Sequence, residues 1–278
     1  MSGFQEAFFL PREPVGQGQR YCLLHRPAPG LTLRGAIVYV HPWCEEMNKS
    51  RRMAALQARA LAEQGWAVLQ VDLLGCGDSS GDFGDASWGA WIDDLIAAAQ
   101  WLHARFDAPL WFWGLRAGCL LAIEAANQLE GSANLLFWQP VLNGKTLLQQ
   151  FLMLRLAGLM QDGKAQGVIQ GLRNELAAGQ AIEVAGYVLA PALADGLAAA
   201  SLRPPRQGGR AIWFEVMPQL GNAPSPALVQ AQKVWSEAGT TVQLATVAGP
   251  QFWQTTEIED AAELIGATLE KLVNELPA

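Results

Sequence analysis

Short apolar runs alternate with longer amphipathic stretches along most of the chain. The runs predict buried strands at residues 21–25, 35–40, 66–71, 110–113, 134–138, 211–216 and 241–247. Helical spacing of apolar residues follows most of these runs, and glycine or proline punctuates the boundaries. Among the predicted helices, one is capped by Ser50 and continues to about residue 64, and the last covers residues 257–276. This alternation is typical of a mostly parallel β-sheet that carries helices on both faces, so the predicted fold class is α/β.

The alternation pauses between residues 144 and 203, which carry apolar residues at helical spacing and a candidate strand or hairpin around residues 182–189. We therefore predict a core domain formed by residues 1–143 and 204–278, with a helical cap of residues 144–203 inserted after the central strands. Open parallel sheets bind ligands beyond the carboxyl ends of their strands, so we expect function in the loops at that edge.

Composition narrows the class of protein further. Hydrophobic residues make up 51% of the chain and charged residues 16%, which excludes a disordered protein. The formal net charge of −7 predicts no general attraction to nucleic acid. No apolar run reaches the roughly 18 residues that suggest a membrane span, and the N-terminus lacks a signal-peptide pattern. The 4 cysteines are scattered, which favours reduced thiols. We expect a cytoplasmic protein with no cofactor, no metal and no membrane span.

The strongest local motif is the pentapeptide Gly-Leu-Arg-Ala-Gly at residues 114–118, between a predicted strand and a predicted helix. A strand, a Gly-x-x-x-Gly turn and a helix form the frame of a nucleophile elbow, in which the central residue stands at the tip of a sharp turn. Here the central residue is Arg116.

With this motif, the chain resembles the α/β-hydrolase superfamily. His-Pro-Trp at residues 41–43 is similar to that superfamily's oxyanion loop, and residues 72–79 resemble its Asp-x-x-Gly-x-Gly-x-Ser loop. A narrower resemblance, carried by residues 41–52, 113–118 and 249–254, is to the bacterial exosortase A system-associated hydrolase 2 family. That resemblance implies an α/β-hydrolase fold with a cap, and an association with machinery for exopolysaccharide production and protein sorting.

The residues that serine-triad chemistry requires are incomplete. Acyl transfer needs a nucleophile on the elbow, a histidine that takes its proton, and a carboxylate that orients the histidine. Arg116 stands at the nucleophile position, and its guanidinium stays protonated at neutral pH. The resemblance implies a histidine where Gln251 stands, and an acid near Glu215. We therefore expect no catalysis by a serine triad.

Two interpretations of Arg116 stay open. A guanidinium at a helix N-terminus is suited to a bound carboxylate, phosphate or sulfate. Alternatively, Arg116 forms an internal ion pair with Glu45, Glu46 or Glu215. The loop residues Leu115 and Gln139 are grouped with the same predicted ligand site.

Other residues near the predicted site also have two interpretations. His41 and Cys44 are three residues apart, so the imidazole could activate the thiol; otherwise His41 bonds the loop backbone and Cys44 packs as a small hydrophobe. Trp43 and Trp253 either line a pocket or belong to the core.

The sequence thus leaves several functions. The first is binding of a small anionic or acylated ligand, or of a protein partner from the exopolysaccharide or sorting machinery, without hydrolysis. The alternative is an active ester, thioester or peptide hydrolase that uses Cys44 with His41. A third possibility is an interaction module for the same machinery, in which the cap helices present a partner surface and the pocket is vestigial.

Overall fold

The protein is described by a computed structural model for residues 4–12, 18–159, 167–219, 221 and 223–274. Residues 160–166 of the predicted cap, and the end of the predicted last helix beyond residue 274, lie outside this range. The described strands are β1 (Phe4–Pro11), β2 (Gln19–Arg26), β3 (Gly35–Val40), β4 (Trp66–Val71), β5 (Leu110–Leu115), β6 (Asn134–Trp138), β7 (Ile182–Val184), β8 (Tyr187–Leu189), β9 (Gly209–Met217) and β10 (Thr240–Ala248).

Eight of these strands form one sheet in the order β1-β2-β4-β3-β5-β6-β9-β10. Strand β2 runs antiparallel to both β1 and β4, and the other neighbouring pairs are parallel. The predicted α/β-hydrolase fold, with its mostly parallel central sheet, is therefore confirmed. Parallel strands end at the same edge, so the loops after β3, β5, β6 and β10 meet there.

Helices cover both faces of the sheet. The helices are α1 (Glu45–Glu63), α2 (Trp88–Arg105), α3 (Ala117–Gln128), α4 (Gly144–Leu159), α5 (Val168–Ala177), α6 (Pro191–Ala199), α7 (Pro226–Glu237) and α8 (Ala262–Asn274), with a 3-10 turn at Phe83–Asp85. Trp111 and Trp113 face the core under α1 and α8, whereas Phe112 between them faces the core under α2 and α3. Burial on both faces explains why the central strands are almost uniformly apolar.

The segment between β6 and β9 contains α4, α5, the β7–β8 hairpin and α6. Of the strand or hairpin predicted at residues 182–189, the structure contains the hairpin. The two ends of the segment are adjacent, since Gly144 N–H donates to Ala200 O at 3.0 Å and Leu202 N–H donates to Leu142 O at 2.9 Å. The segment therefore leaves the core and returns to it at one place.

Three elements differ from the sequence-based predictions. The last helix was predicted from residue 257, but α8 begins at Ala262. β1 was not predicted, because the consecutive apolar residues Phe8, Phe9 and Leu10 break the strand period of two; its pairing with β2 defines it. Helix α1 was predicted to begin at Ser50 but begins at Glu45. The Ser50 hydroxyl donates to Glu46 O at 2.7 Å, one turn earlier, so this serine is inside the helix and not at its start.

Candidate functional site

The turn between β5 and α3 keeps the geometry of an elbow although its tip is an arginine. Arg116 has φ 55° and ψ −115°, and its N–H donates to Trp138 O at 3.1 Å. A side chain at Gly118 would place its Cβ 2.1 Å from Val40 O, and one at Gly114 would be 2.7 Å from Cys119 N. Both glycines are therefore required by close backbone approach, and the elbow presents the Arg116 side chain at the carboxyl edge of the sheet.

Arg116 forms an ion pair with Glu46 on the first turn of α1. Its Nε and Nη2 both donate to Glu46 Oε1, at 3.2 and 3.1 Å. The side chains are only 14% and 19% exposed. Burial raises the pKa of the Glu46 carboxyl above its ordinary value, and the charge of Arg116 opposes that rise. Of the three carboxylates proposed from the sequence as internal partners, the structure selects Glu46.

The ion pair leaves hydrogen-bonding capacity on both sides. Arg116 Nη1 has no hydrogen-bond partner within the described residues. Glu46 Oε2 is buried without a hydrogen bond. Because both arginine donors converge on one oxygen, the pair is not the fork-to-fork arrangement of two parallel hydrogen bonds. The Nη1–Nη2 edge of the guanidinium is therefore available to a further anion.

A cavity of about 580 Å³ opens beside this ion pair. Its volume lies within the range of small-molecule sites. The sequence-predicted residues that line it are Trp43, Cys44, Glu45, Glu46, Arg116, Gln139, Gln251 and Trp253. The lining residues that sequence reasoning missed are Lys49, Leu147, Gln150, Phe151, Leu154, Ala185, Tyr187 and Gln254. Most of the missed residues belong to α4 and the β7–β8 hairpin, which face the sheet edge from across the cavity.

Backbone strain is concentrated around this cavity. Four non-glycine residues in the described part of the chain have left-handed φ values: Cys44 (52°), Arg116 (55°), Gln139 (48°) and Ala185 (51°). All four line the cavity. Such conformations cost about 1–3 kcal/mol each and persist where the surrounding structure imposes them, typically at ligand sites. Their coincidence marks this cavity as the candidate functional site.

The two amides predicted at the site are held differently. Gln139 follows β6; its N–H donates to Phe214 O at 2.7 Å, and its Oε1 accepts from Val216 N–H at 2.8 Å. It is therefore fixed against β9. Gln251, in the loop after β10, accepts a hydrogen bond on its Oε1 from Gln254 Nε2.

The tryptophans near the ion pair line the cavity and are also buried. The Arg116 guanidinium carbon lies 5.7 Å from the centre of the Trp253 ring, within the range of a cation–π contact. Trp43 packs against Phe151 of α4 with ring centroids 4.8 Å apart. The pocket and packing interpretations made from the sequence therefore both apply.

The structure gives no support to catalysis by Cys44 with His41. The two nitrogens of the buried His41 ring contact backbone: Nδ1 donates to Pro42 O at 2.7 Å, and Nε2 accepts from Leu73 N–H at 3.4 Å. Burial lowers the pKa of His41 and raises the pKa of the Cys44 thiol well above its ordinary value. No hydrogen bond joins the two side chains among the contacts of the described residues. The imidazole therefore has no free lone pair for the thiol proton.

Two further residues predicted as ligand contacts do not line the cavity. Leu115 is the last residue of β5, and its side chain packs in the core with Trp113 and Trp138. Glu215 lies within β9 and accepts on its Oε2 from Ser225 N–H at 2.7 Å, which fixes the start of α7. Successive side chains along a strand point to opposite faces of the sheet, which explains why neither Leu115 nor Glu215 lines the cavity.

Helices long and apolar enough to cross a bilayer do not occur in the ranges that the structure describes. The same ranges contain no cluster of three or more His, Cys, Asp or Glu side chains placed to hold a metal ion.

Comparison with known proteins agrees with the fold. A family described as serine aminopeptidase, S33, matches residues 32–178. The human protein ABHD12B is 34% identical over 95 residues, which are 34% of this chain and 25% of that protein. This chain therefore matches only a quarter of that relative's length.

Solved structures cover nearly the whole chain. Est1E from Butyrivibrio proteoclasticus, solved with ferulic acid, is 15% identical with a TM-score of 0.65, covering 97% of this chain and all of that one (100%). XC6422 from Xanthomonas campestris, an α/β serine hydrolase without a lid, is 20% identical with a TM-score of 0.55, covering 99% and 96% of the two chains. At these identities the likeness shows the α/β-hydrolase fold alone.

Proposed function

Because the chain belongs to the serine aminopeptidase S33 family of α/β-hydrolases, we propose that it keeps the family's site but uses it to bind a small anionic or acylated ligand at Arg116 without hydrolysing it. The observation that carries this proposal is the residue at the tip of the elbow. A guanidinium stays protonated at neutral pH and cannot attack a carbonyl group.

The other triad positions support the same proposal. Gln251 stands in the loop after β10 where the family resemblance implies a histidine, and an amide cannot shuttle a proton at neutral pH. The nearest carboxylate on β9, Glu215, is bonded to the start of α7. Among the described residues that line the cavity there is no serine and no histidine, which supports the absence of serine-triad chemistry.

The anion preference follows from charge and hydrogen bonding. Arg116 stands at the N-terminus of α3, where unpaired N–H groups and the helix dipole favour negative charge. Glu46 occupies one edge of the guanidinium and leaves the other edge to a ligand. The pair therefore orients the arginine while the cavity supplies space for the rest of the ligand.

The biological setting is a proposal that rests on the resemblance of residues 41–52, 113–118 and 249–254 to the exosortase-associated family. On that basis the protein acts with exopolysaccharide or protein-sorting machinery, and a protein of that machinery is a candidate partner.

The experiment that tests the absence of hydrolysis is turnover of a panel of short- and medium-chain esters and thioesters by the purified protein. We expect no rate above buffer for the wild type or for Cys44→Ala. Turnover that is lost in Cys44→Ala would establish a cysteine hydrolase. Turnover that persists in Cys44→Ala and is lost in Arg116→Met would show catalysis at the elbow. Either result overturns the proposal.

A further inference from the structure

A single apolar stripe of α4 forms one wall of the cavity. Leu147, Phe151 and Leu154 all line it. Their spacing of four and then three residues places them on one face of the helix. Seven residues of α-helix rise about 10 Å, so the stripe is a track of roughly that length.

The stripe runs from the interior to the surface. Leu147 is 3% exposed and Phe151 is 5% exposed, whereas Leu154 is 47% exposed. Phe151 contacts Trp43 on the core side, with centroids 4.8 Å apart, and faces Tyr187 of β8 at 6.4 Å. Aromatic rings therefore enclose the middle of the track, and its outer end is open.

Polar residues reach the same cavity from the carboxyl edge of the sheet and from α1. They include Arg116, Glu46, Gln139 and Gln251, and the Trp253 ring lies beside the guanidinium. The cavity thus combines a charged anchor with the apolar track of α4. A compact polar anion would leave the apolar track without a partner, whereas a purely apolar ligand would leave the Nη1–Nη2 edge of the guanidinium without a hydrogen bond.

We propose that the ligand is an amphiphilic acyl carboxylate of medium chain length, with its head group on Arg116 and its alkyl chain along Leu147, Phe151 and Leu154. This inference rests on the proposed function and specifies its ligand class. The carboxylate accepts from the free edge of the guanidinium, and the chain replaces water on the α4 stripe. No covalent step is involved.

The test is isothermal titration calorimetry of the full chain with the straight-chain series from acetate to decanoate, below micelle concentrations. Each methylene buried on the stripe should tighten binding roughly fourfold, as about 0.8 kcal/mol per methylene implies. The gain in affinity per methylene should cease once the alkyl chain of the ligand extends past Leu154. 1-Octanol, which has the chain without the charge, should bind at least tenfold more weakly than octanoate.

Two matched variants on α4 test where the alkyl chain of the bound carboxylate lies. Leu154→Ser should reduce the gain for the longer members of the series and leave acetate unchanged. Met153→Ser is the control, because Met153 is the next residue, is similarly exposed at 51%, and does not line the cavity. It should bind the whole series as the wild type does.

The outcomes separate this inference from the proposed function. If acetate and octanoate bind equally well and both depend on Arg116, the site binds anions but the acyl inference is wrong. If the affinities of Leu154→Ser and Met153→Ser depend on the length of the carboxylate as the wild type's affinity does, the alkyl chain does not lie along the stripe. The acyl inference is then also wrong. If binding of every carboxylate is unaffected by Arg116→Met, the proposed function itself fails.

Discussion

Arg116 at the tip of the elbow and Glu46 on the first turn of α1 meet through a single carboxylate oxygen. Nε and Nη2 donate to Glu46 Oε1 at 3.2 and 3.1 Å, while Oε2 is buried without a partner. One glutamate thus restrains the arginine at the position where related hydrolases carry their nucleophile. The arginine itself supplies no nucleophile, and its contact with Glu46 leaves the Nη1–Nη2 edge of the guanidinium to a further anion.

Glu46→Gln should strengthen anion binding. The substitution retains the shape of the side chain and removes the negative charge that competes with a ligand for Arg116. Removing about 1.4 kcal/mol of like-charge repulsion would tighten binding about tenfold. Calorimetry with octanoate measures the change. Glu63→Gln is the control, since Glu63 is an exposed carboxylate at the far end of the same helix and does not line the cavity; a similar gain in both variants would contradict a specific competition by Glu46.

Arg116→Ser should not create an esterase. The new hydroxyl would stand on an intact elbow, but Gln251 cannot take its proton and both nitrogens of His41 contact backbone. Hydrolysis of p-nitrophenyl acetate and butyrate measures the outcome, with the wild type as reference. Appreciable turnover by Arg116→Ser would mean that a base near the elbow has been overlooked.

Asp94→Asn should destabilise the fold strongly. Asp94 on α2 is buried; its Oδ2 lies 2.6 Å from Arg20 Nε and its Oδ1 lies 3.0 Å from Arg12 Nε. It also accepts from Leu74 N–H at 2.9 Å, so it ties the β1–β2 hairpin to the loop after β4. Breaking a buried pair typically costs about 3–5 kcal/mol, and urea denaturation measures the free energy of unfolding.

Asp260→Asn is the matched control for that prediction. Asp260 also pairs with an arginine, Arg52, at 2.8 Å, but the two side chains are 35% and 57% exposed. An exposed pair contributes about 1 kcal/mol or less. If Asp94→Asn and Asp260→Asn lost the same free energy of unfolding, burial would not explain the stabilising effect of the Asp94 ion pairs.

Acid should destabilise the protein partly through His25. The ring accepts from Gln5 Nε2 at 3.2 Å and donates to Gln70 Oε1 at 3.0 Å, and burial lowers its pKa from the ordinary 6.5. Below pH 6.5 the unfolded chain takes up a proton that folded His25 resists, so the free energy of unfolding falls as pH falls. The contribution is at most about 1.4 kcal/mol per pH unit.

Comparing variants isolates this contribution from other titrating groups. His25→Gln should lose less stability between pH 7 and 5.5 than the wild type, as followed by urea denaturation at each pH. His103→Gln, which changes an exposed histidine on α2, should lose as much as the wild type. The same acid dependence in all three proteins would show that His25 does not contribute.

The sequence predicted seven of the eight strands of the sheet, the elbow and half of the cavity lining, because these depend largely on local patterns. Gly-x-Arg-x-Gly between a strand and a helix needs only short-range sterics, and loops after parallel strands must share an edge. The partner of Arg116 could not be chosen among Glu45, Glu46 and Glu215, since the prediction started α1 at Ser50 and left both early glutamates in a loop.

The cavity residues on α4 and the hairpin were missed for a different reason. Leu147, Phe151 and Leu154 read as one apolar face in the sequence, but an apolar face predicts burial without saying what it faces. Tyr187 lies on a three-residue strand next to a turn at Ala185, so its direction depends on how that hairpin packs. Tertiary packing determines both what the apolar face of α4 contacts and where Tyr187 points. A local sequence pattern does not contain that packing.

The function proposed for Arg116 is to bind an anion that the protein does not hydrolyse. Calorimetric titration of octanoate into the wild type and into Arg116→Met tests it. Loss of a charged hydrogen bond costs roughly 1.5–3 kcal/mol, so Arg116→Met should bind octanoate about 10- to 150-fold more weakly than the wild type. Equal affinity of the two proteins would contradict it and would make Arg116 a structural partner of Glu46 alone.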